Sequence, residues 1–131
     1  MFKELDVIIP TNKKLSYLKN LIFQINNQKG NLKINIFLMH QTAKKEDIPN
    51  FLIQKNIYYK RILLQNLSNA KNEGLKMSKS KIVTIIDDDI IISNNYFYEG
   101  IRILKNNNYD LVFFRINKLN SNIPLTRNMK N

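Results

Sequence analysis

The apolar residues of the chain fall first into short continuous runs bounded by polar residues. Such runs, rich in β-branched side chains, predict strands that are buried on both faces of a parallel sheet. The first run begins at Leu5 and is stopped by Pro10, and the second extends from Ile34 to Met39. Three further strands are predicted at 58–64, 81–86 and 110–116.

Other apolar residues recur at the three- and four-residue spacing of an amphipathic helix. This spacing predicts a first helix, ended by Gly30, from the apolar positions Leu15, Leu18, Leu21, Ile22 and Ile25. Similar patterns predict helices at 69–79 and 95–105. The polar segment 41–50, which contains Pro49, is predicted to be a loop that leads into a short helix at 51–54.

Strands that alternate with helices predict an α/β fold with a mostly parallel sheet and helices on both faces. In such sheets, ligands bind outside the carboxyl ends of the strands. Three polar clusters follow predicted strands, at residues 11–13, 40–42 and 87–89. We therefore expect these clusters to meet at one edge of the sheet and to form the functional site.

The most polar of these clusters is Asp87-Asp88-Asp89, which ends the fourth predicted strand. Adjacent ionised carboxylates repel one another, so they are unfavourable unless water or a cation offsets their charge. One interpretation is a site for a hard divalent cation, Mg²⁺ or Mn²⁺, shared with a phosphate group. The alternative is an acidic turn exposed to water, which needs no ligand.

Composition narrows the class of protein. The chain has no cysteine, which excludes disulfides and thiolate metal sites. Its net charge of +11 favours polyanions, anionic membrane surfaces or phosphorylated substrates as partners. Because the lysines are spread along the chain, no nucleic-acid partner is expected. Since no signal-peptide pattern or membrane-length apolar run is present, we expect a cytoplasmic protein, with peripheral membrane contact as an alternative.

Three motifs, in order, resemble the inverting glycosyltransferases of family 2, which have the GT-A fold. The segment Val7–Thr11 (VIIPT) is similar to the first strand of that family. The segment Asn69–Gly74 is similar to its A-R-N-x-G motif, with Lys71 in place of the usual arginine. The segment Ile82–Asp89 is similar to its apolar strand ending in D-x-D. The resemblance covers about residues 5–115 and implies a sheet of GT-A architecture.

The resemblance implies a nucleotide-diphosphate sugar as donor, most often a UDP-sugar, and a glycan or lipid-linked acceptor. On this basis the nucleotide is predicted to contact Pro10, Thr11, Asn12, Lys13, Gln41, Lys71, Asp87 and Asp88. Asp89 is predicted to hold Mn²⁺ or Mg²⁺, and Asp87 to bind the ribose or the metal. Asn72 and Gly74 are predicted to be structural, because small residues allow close packing of a loop and helix.

Plainer interpretations remain for several of these residues. Pro10-Thr11 is also what ends an ordinary strand, and Lys71 is also a typical solvated helix lysine. The family's second strand usually ends in an aspartate that reads uracil, but His40-Gln41-Thr42 stands here. We expect His40 to be an ordinary surface or boundary residue, and Gln41 to be able to bond a base edge.

Family members are longer than this chain, and their later half holds the acceptor site and the general base. After Asp89 the only acidic residues are Glu99 and Asp110, and neither is well placed to act as base. The expectation is therefore a donor-binding domain at 1–116, with 117–131 a polar tail or the start of an acceptor-binding region, and negligible transfer by this chain alone. The alternatives are an inactive nucleotide-diphosphate binder and a basic nucleic-acid-binding module.

Overall fold

Four strands and three helices make up the described part of the chain, which in this computed structural model comprises residues 4–63, 66–112 and 114. The strands are β1 (Glu4–Thr11), β2 (Lys33–Gln41), β3 (Ile57–Ile62) and β4 (Ile82–Ile85). The helices are α1 (Lys19–Asn26), α2 (Leu67–Met77) and α3 (Tyr96–Asn107). Two short 3₁₀ helices lie at Leu15–Leu18 and Asn50–Leu52. All strand pairs are parallel, in the order β3-β2-β1-β4.

The sheet is buried on both faces, with β1 at its centre. Val7 and Ile9 face a core formed with α1 and α3, whereas Ile8 faces a second core formed with α2. This alternation follows from the two-residue period of a strand. The predicted α/β fold with a parallel sheet and helices on both faces is therefore confirmed. None of the helices in the described ranges has the length and hydrophobicity that crossing a bilayer requires.

The predicted first helix is correct in position but not in form. It begins as the 3₁₀ helix Leu15–Leu18 and continues as α1, which ends at Asn26. Gly30 lies beyond that end, where φ values of 106° at Gly30 and 53° at Asn31 turn the chain into β2. Gly30 therefore turns the chain toward the next strand and does not itself end the helix.

The predicted strand at 110–116 is not found in the described residues. Asp110, Leu111, Val112 and Phe114 are not in a strand, and residues 113, 115 and 116 lie outside the described ranges, as does 117–131. The Phe114 ring packs on α3, with its centroid 4.3 Å from that of Tyr96.

Gly74 brings α2 close to the sheet. A Cβ atom at this position would lie 2.5 Å from Cγ2 of Ile8, so no larger residue fits without movement. The expected structural role of Gly74 is therefore met, although within a helix and not at a loop. Asn72 is exposed and contributes no such packing, because its position points away from the helix face that buries Ala70 and Gly74.

A buried carboxylate, Asp6, lies near the amino end of β1 and binds the segment that precedes β4. It is 1% exposed and accepts hydrogen bonds from the backbone N–H groups of Lys79 and Ser80, at 2.7 and 2.9 Å. The Ser80 hydroxyl (2.7 Å) and the Asn35 amide (2.9 Å) also donate to it. Burial alone would raise the pKa of Asp6, but these four hydrogen bonds lower it. Asp6 thus fixes the turn between α2 and β4.

Candidate functional site

The carboxyl ends of β1, β2 and β4 lie together, so three predicted polar clusters share one edge of the sheet. Thr11 pairs with His40 in the register of β1 and β2. On the other side, β4 pairs with β1 only as far as Ile8, whose carbonyl accepts a hydrogen bond from the N–H of Ile86 (3.0 Å). Pro10, two residues further on, faces the same side of β1, where β4 has ended. Its missing N–H therefore leaves no partner unpaired.

A compact cluster of Thr11, Lys13 and Asp88 occupies this edge. The Thr11 hydroxyl donates to one carboxylate oxygen of Asp88 at 2.7 Å, and the Lys13 ammonium lies 3.3 Å from the other. The Lys13 N–H also donates to the Thr11 hydroxyl, at 3.2 Å. Thr11 is 2% exposed, whereas the Asp88 side chain is 14% exposed. The carboxylate is thus held from the protein side and remains open to a ligand.

Asp87 and Asp89, which flank Asp88, are both exposed and form no hydrogen bond or ion pair through their side chains within the described ranges. Nowhere in those ranges do three or more His, Cys, Asp or Glu side chains form a group that could hold a metal ion. The available ligands are nevertheless hard carboxylate oxygens, which Mg²⁺ and Mn²⁺ prefer. Asp87 and Asp89 therefore supply two carboxylate groups of the kind that such a cation takes as ligands, and further ligands would have to come from outside these two side chains.

His40 is buried, and its predicted location at the surface or boundary is wrong. It is 1% exposed, and both ring nitrogens have partners. Nδ1 lies 2.8 Å from the Tyr59 hydroxyl, and Nε2 lies 2.9 Å from the carbonyl oxygen of Lys13. Glu46 lies 3.9 Å from Nε2 and accepts a hydrogen bond from the Leu15 N–H at 3.0 Å. His40 therefore ties β2 to the loop that carries Lys13.

Gln41, the next residue, points to the opposite face of the sheet, the side covered by α2. It is buried, and its side-chain Nε2 has no hydrogen-bond partner in the part of the chain described. A buried amide without a partner is unfavourable by about 1–3 kcal/mol. An acceptor atom on a bound ligand would remove this penalty.

The remaining predicted residues are less closely engaged. Asn12 is exposed beside the cluster, and Lys71 is half-buried in the first half of α2, with no side-chain ion pair to the described residues. Glu99 pairs with Arg102 on α3 at 2.6 Å, and Asp110 is exposed next to β4. Neither acid belongs to the cluster at the carboxyl edge.

Glu46 and Tyr59 were not identified from the sequence. Tyr59 lies two residues after Ile57 in β3 and therefore on the same face of the strand, so its inward direction could be inferred from the two-residue period. Burial raises the pKa of Tyr59, and the nearby Glu46 charge raises it further, so the hydroxyl stays protonated. Glu46 lies in a polar loop, where no pattern indicates which acid turns inward.

A cleft of about 340 Å³ opens beside the cluster, between α1 and the segment that follows β4. Asp88 and Asp89 form one wall, and Tyr17 and Phe23 stand on the other. Gln24 holds the cleft in shape by accepting a hydrogen bond from the Ile92 N–H at 2.7 Å. The carboxylates therefore border a space that is large enough for part of a small ligand.

A parallel α/β sheet with polar side chains gathered at its carboxyl edge defines a class of proteins that bind ligands, often nucleotides, at that edge. Within this class, the chain belongs to glycosyl transferase family 2, whose family model matches residues 6–131. The expected family is therefore confirmed.

A similar solved structure is the crystal structure of S. aureus TarS, with a TM-score of 0.71 and 16% sequence identity. The match covers 90% of this chain but 22% of the TarS chain, and at this identity it shows the fold alone. A sequence comparison with curated proteins finds no match.

Proposed function

We propose that the chain binds a nucleotide-diphosphate sugar, most often a UDP-sugar, at the carboxyl edge of the sheet as the donor site of a glycosyltransferase. The observation that carries the proposal is the cluster of Thr11, Lys13 and Asp88. It joins a cation and a carboxylate at the edge where parallel sheets bind ligands. Family membership supports the same reading.

In this proposal the residues of the cluster handle the charge of the diphosphate. Lys13, which lies against Asp88, provides positive charge for the phosphates. Thr11 keeps the Asp88 carboxylate in one orientation. Mg²⁺ or Mn²⁺ held by Asp89, with Asp87 on the ribose or the metal, would supply Lewis-acid charge for the departing diphosphate. Lys71, from α2, is a further candidate for contact with the phosphates or the base.

The base would lie near Pro10, Asn12 and Gln41. Gln41 has a buried amide nitrogen without a partner in the described residues, and it would donate a hydrogen bond to a carbonyl oxygen of the base. Uracil and guanine each carry an exocyclic carbonyl oxygen, and adenine does not. We therefore expect UDP and GDP to bind better than ADP.

Calorimetric titration with UDP, GDP and ADP, each with Mg²⁺, with Mn²⁺ and with a chelator, tests the proposal. Nucleotide affinity should rise with the divalent cation, and Asp89→Asn should remove that rise. Glu99→Gln, which changes an acid on α3 that pairs with Arg102 and lies outside the cluster, is the matched control and should leave the titrations unchanged. Equal affinity with chelator and with either cation would refute the metal site, and no binding of any nucleotide would refute the donor site.

A catalytically incomplete nucleotide-diphosphate binder is a second candidate. Glu99 is engaged with Arg102, and Asp110 lies away from the cluster, so neither is placed as general base. An assay of transfer from nucleotide sugars to simple glycosides separates the two candidates. Turnover that is lost in Asp89→Asn favours a transferase, and binding without turnover favours the incomplete form.

The proposed acceptor is a hydroxyl group of a glycan or a lipid-linked glycan. The proposal places the protein in the cytoplasm, with a peripheral contact to an anionic membrane supported by the net charge of +11. Cosedimentation with vesicles of neutral lipid, compared with vesicles that contain an anionic lipid, tests the membrane contact. Equal cosedimentation with both would refute it.

A further inference from the structure

We propose that His40 is a positioning residue that places Lys13 at the diphosphate by holding the Lys13 carbonyl group. This inference rests on the proposed function, because it assigns Lys13 to the phosphates. His40 itself lies beneath the loop and reaches the ligand only through Lys13. The connection runs from β2 through one hydrogen bond to the backbone of the residue whose ammonium contacts Asp88.

The hydrogen bonds of His40 place a proton on Nε2 of the imidazole ring. A carbonyl oxygen can only accept, so the Nε2 atom 2.9 Å from the Lys13 carbonyl must carry the proton and donate. In the neutral ring Nδ1 then accepts, and its partner at 2.8 Å is the hydroxyl of Tyr59. Tyr59 is suited to donate, because burial and the nearby Glu46 charge raise its pKa. The two contacts are mutually consistent.

The loop between β1 and the first 3₁₀ helix is held at two points. His40 binds the carbonyl group of Lys13, and Glu46 accepts from the N–H of Leu15 at 3.0 Å. Lys14, between them, is exposed. Among the described residues, the titratable side chains beside the ring are Glu46 from the segment after β2 and Tyr59 from β3, whereas Lys13 meets the ring through its backbone carbonyl. The two anchors of the loop therefore come from β2 and from the segment that follows it.

The anchors matter because the ion pair of Lys13 does not fix its own geometry. The Lys13 side chain is 42% exposed, and an exposed ion pair contributes only about 0–1 kcal/mol. A backbone that is held at residues 13 and 15 keeps the start of the Lys13 side chain in place before a ligand arrives. Binding then needs less ordering of the loop, which raises affinity.

Paired substitutions separate this role from simple core filling. His40→Gln can place an amide N–H near the position of Nε2, whereas the shorter His40→Asn cannot reach the Lys13 carbonyl. We expect His40→Gln to bind UDP with Mg²⁺ within about threefold of the unchanged protein, and His40→Asn to bind it about tenfold more weakly. Equal losses in both variants would refute the proposal.

A double-mutant cycle shows whether His40 acts through Lys13. In a Lys13→Met background, the change His40→Asn should weaken UDP binding no further, although it lowers stability toward urea as before. Additive losses of affinity would show a general effect on the fold and would overturn the proposal. If His40→Asn does not fold, Tyr59→Phe removes only the hydroxyl that fixes the ring and should give a smaller loss that is likewise absent without Lys13.

Two measurements on the unliganded protein are independent of nucleotide binding. His40 is the single histidine of the chain, so imidazole nitrogen spectra report it alone, and they should show a proton on Nε2. Amide exchange at residues 12–15 should be faster in His40→Asn than in His40→Gln. Equal exchange would refute the anchoring, whereas failure of the unchanged protein to bind UDP would refute the proposed function instead.

Discussion

Two carboxylates at opposite ends of the sheet show how a structural acid differs from a functional one. At the amino end, Asp6 is buried and accepts four hydrogen bonds from within the protein. At the carboxyl end, Asp88 receives one hydrogen bond from Thr11 and one ammonium contact from Lys13. Asp6 interrupts an apolar run and Asp88 comes just after one, so the sequence around each acid is similar.

The two carboxylates differ in how many hydrogen-bond acceptor positions each leaves free for a ligand. An ionised carboxylate has about four acceptor positions, and Asp6 uses them on the protein itself. Asp88 retains acceptor positions beside two further exposed carboxylates, Asp87 and Asp89. A saturated acid stabilises the fold, whereas an unsaturated one on a fixed scaffold can bind a ligand. Each of the following predictions would break or sharpen this distinction.

The largest expected effect is on stability at the amino end. Asp6→Ala should lower the free energy of unfolding by about 3 kcal/mol, because it removes a buried carboxylate that accepts four hydrogen bonds and leaves the N–H groups of Lys79 and Ser80 without their acceptor. Urea unfolding measures this loss. The affinity of the folded fraction for UDP should stay the same. A loss of affinity of about tenfold, which we expect below for Asp88→Asn, would contradict the assignment of Asp6 as a structural acid.

The same carboxylate should produce a pH dependence of stability. Because the pKa of folded Asp6 is lowered below the usual aspartate value of 3.8, its ionised form favours the folded state above that value. This stabilisation should be lost as the pH falls below 3.8 through the folded pKa. Urea midpoints measured from about pH 5 down to about pH 2 should fall less steeply in Asp6→Asn than in the unchanged protein. Parallel curves would show that Asp6 does not contribute.

The fold was predictable because the strands coincide largely with short runs of apolar residues in the sequence. The predicted ends of strands are wrong where pairing with a neighbouring strand, and not the polarity of the side chains, determines where the strand ends. β2 was predicted to end at Met39, but it continues through His40 and Gln41, since Thr11 of β1 pairs with His40 and Ile62 of β3 pairs with Gln41. The segment at 110–116 has a strand-like pattern, yet Phe114 packs on α3.

The candidate site was predictable only at the level of its edge. The carboxyl-end rule brought Thr11, Lys13 and Asp88 to one place, but it could not tell which of three adjacent aspartates turns toward β1. The burial of His40 was missed because its partners, Lys13 and Tyr59, are distant in the sequence. Asp6 carried a usable signal, since a lone acid inside a buried strand needs several donors.

At the carboxyl end, Asp88→Asn should affect binding more than stability. The change removes the charge that holds Lys13 but keeps an oxygen that can accept from Thr11. We expect UDP affinity in the presence of Mg²⁺ to fall by about tenfold, or about 1.4 kcal/mol. The unfolding free energy should change by less than about 1 kcal/mol, as for other partly exposed ion pairs. Calorimetry and urea unfolding on one preparation test both, and the opposite ranking would contradict the assignment.

The smallest expected effects are those of removing two hydroxyl groups that donate hydrogen bonds of the same length. Ser80 donates to Asp6 and Thr11 donates to Asp88, each at 2.7 Å. Ser80→Ala should lower the unfolding free energy by about 1 kcal/mol, because buried Asp6 has no water to replace the lost donor. Thr11→Val keeps the side-chain shape, and Asp88 retains Lys13 and access to water, so its loss should be about 0.5 kcal/mol. Thr11→Val should instead weaken nucleotide binding, which Ser80→Ala should not. Urea unfolding measures the difference in stability, and calorimetry measures the difference in nucleotide affinity. Equal effects of the two substitutions in both measurements would mean that Asp6 and Asp88 have the same role.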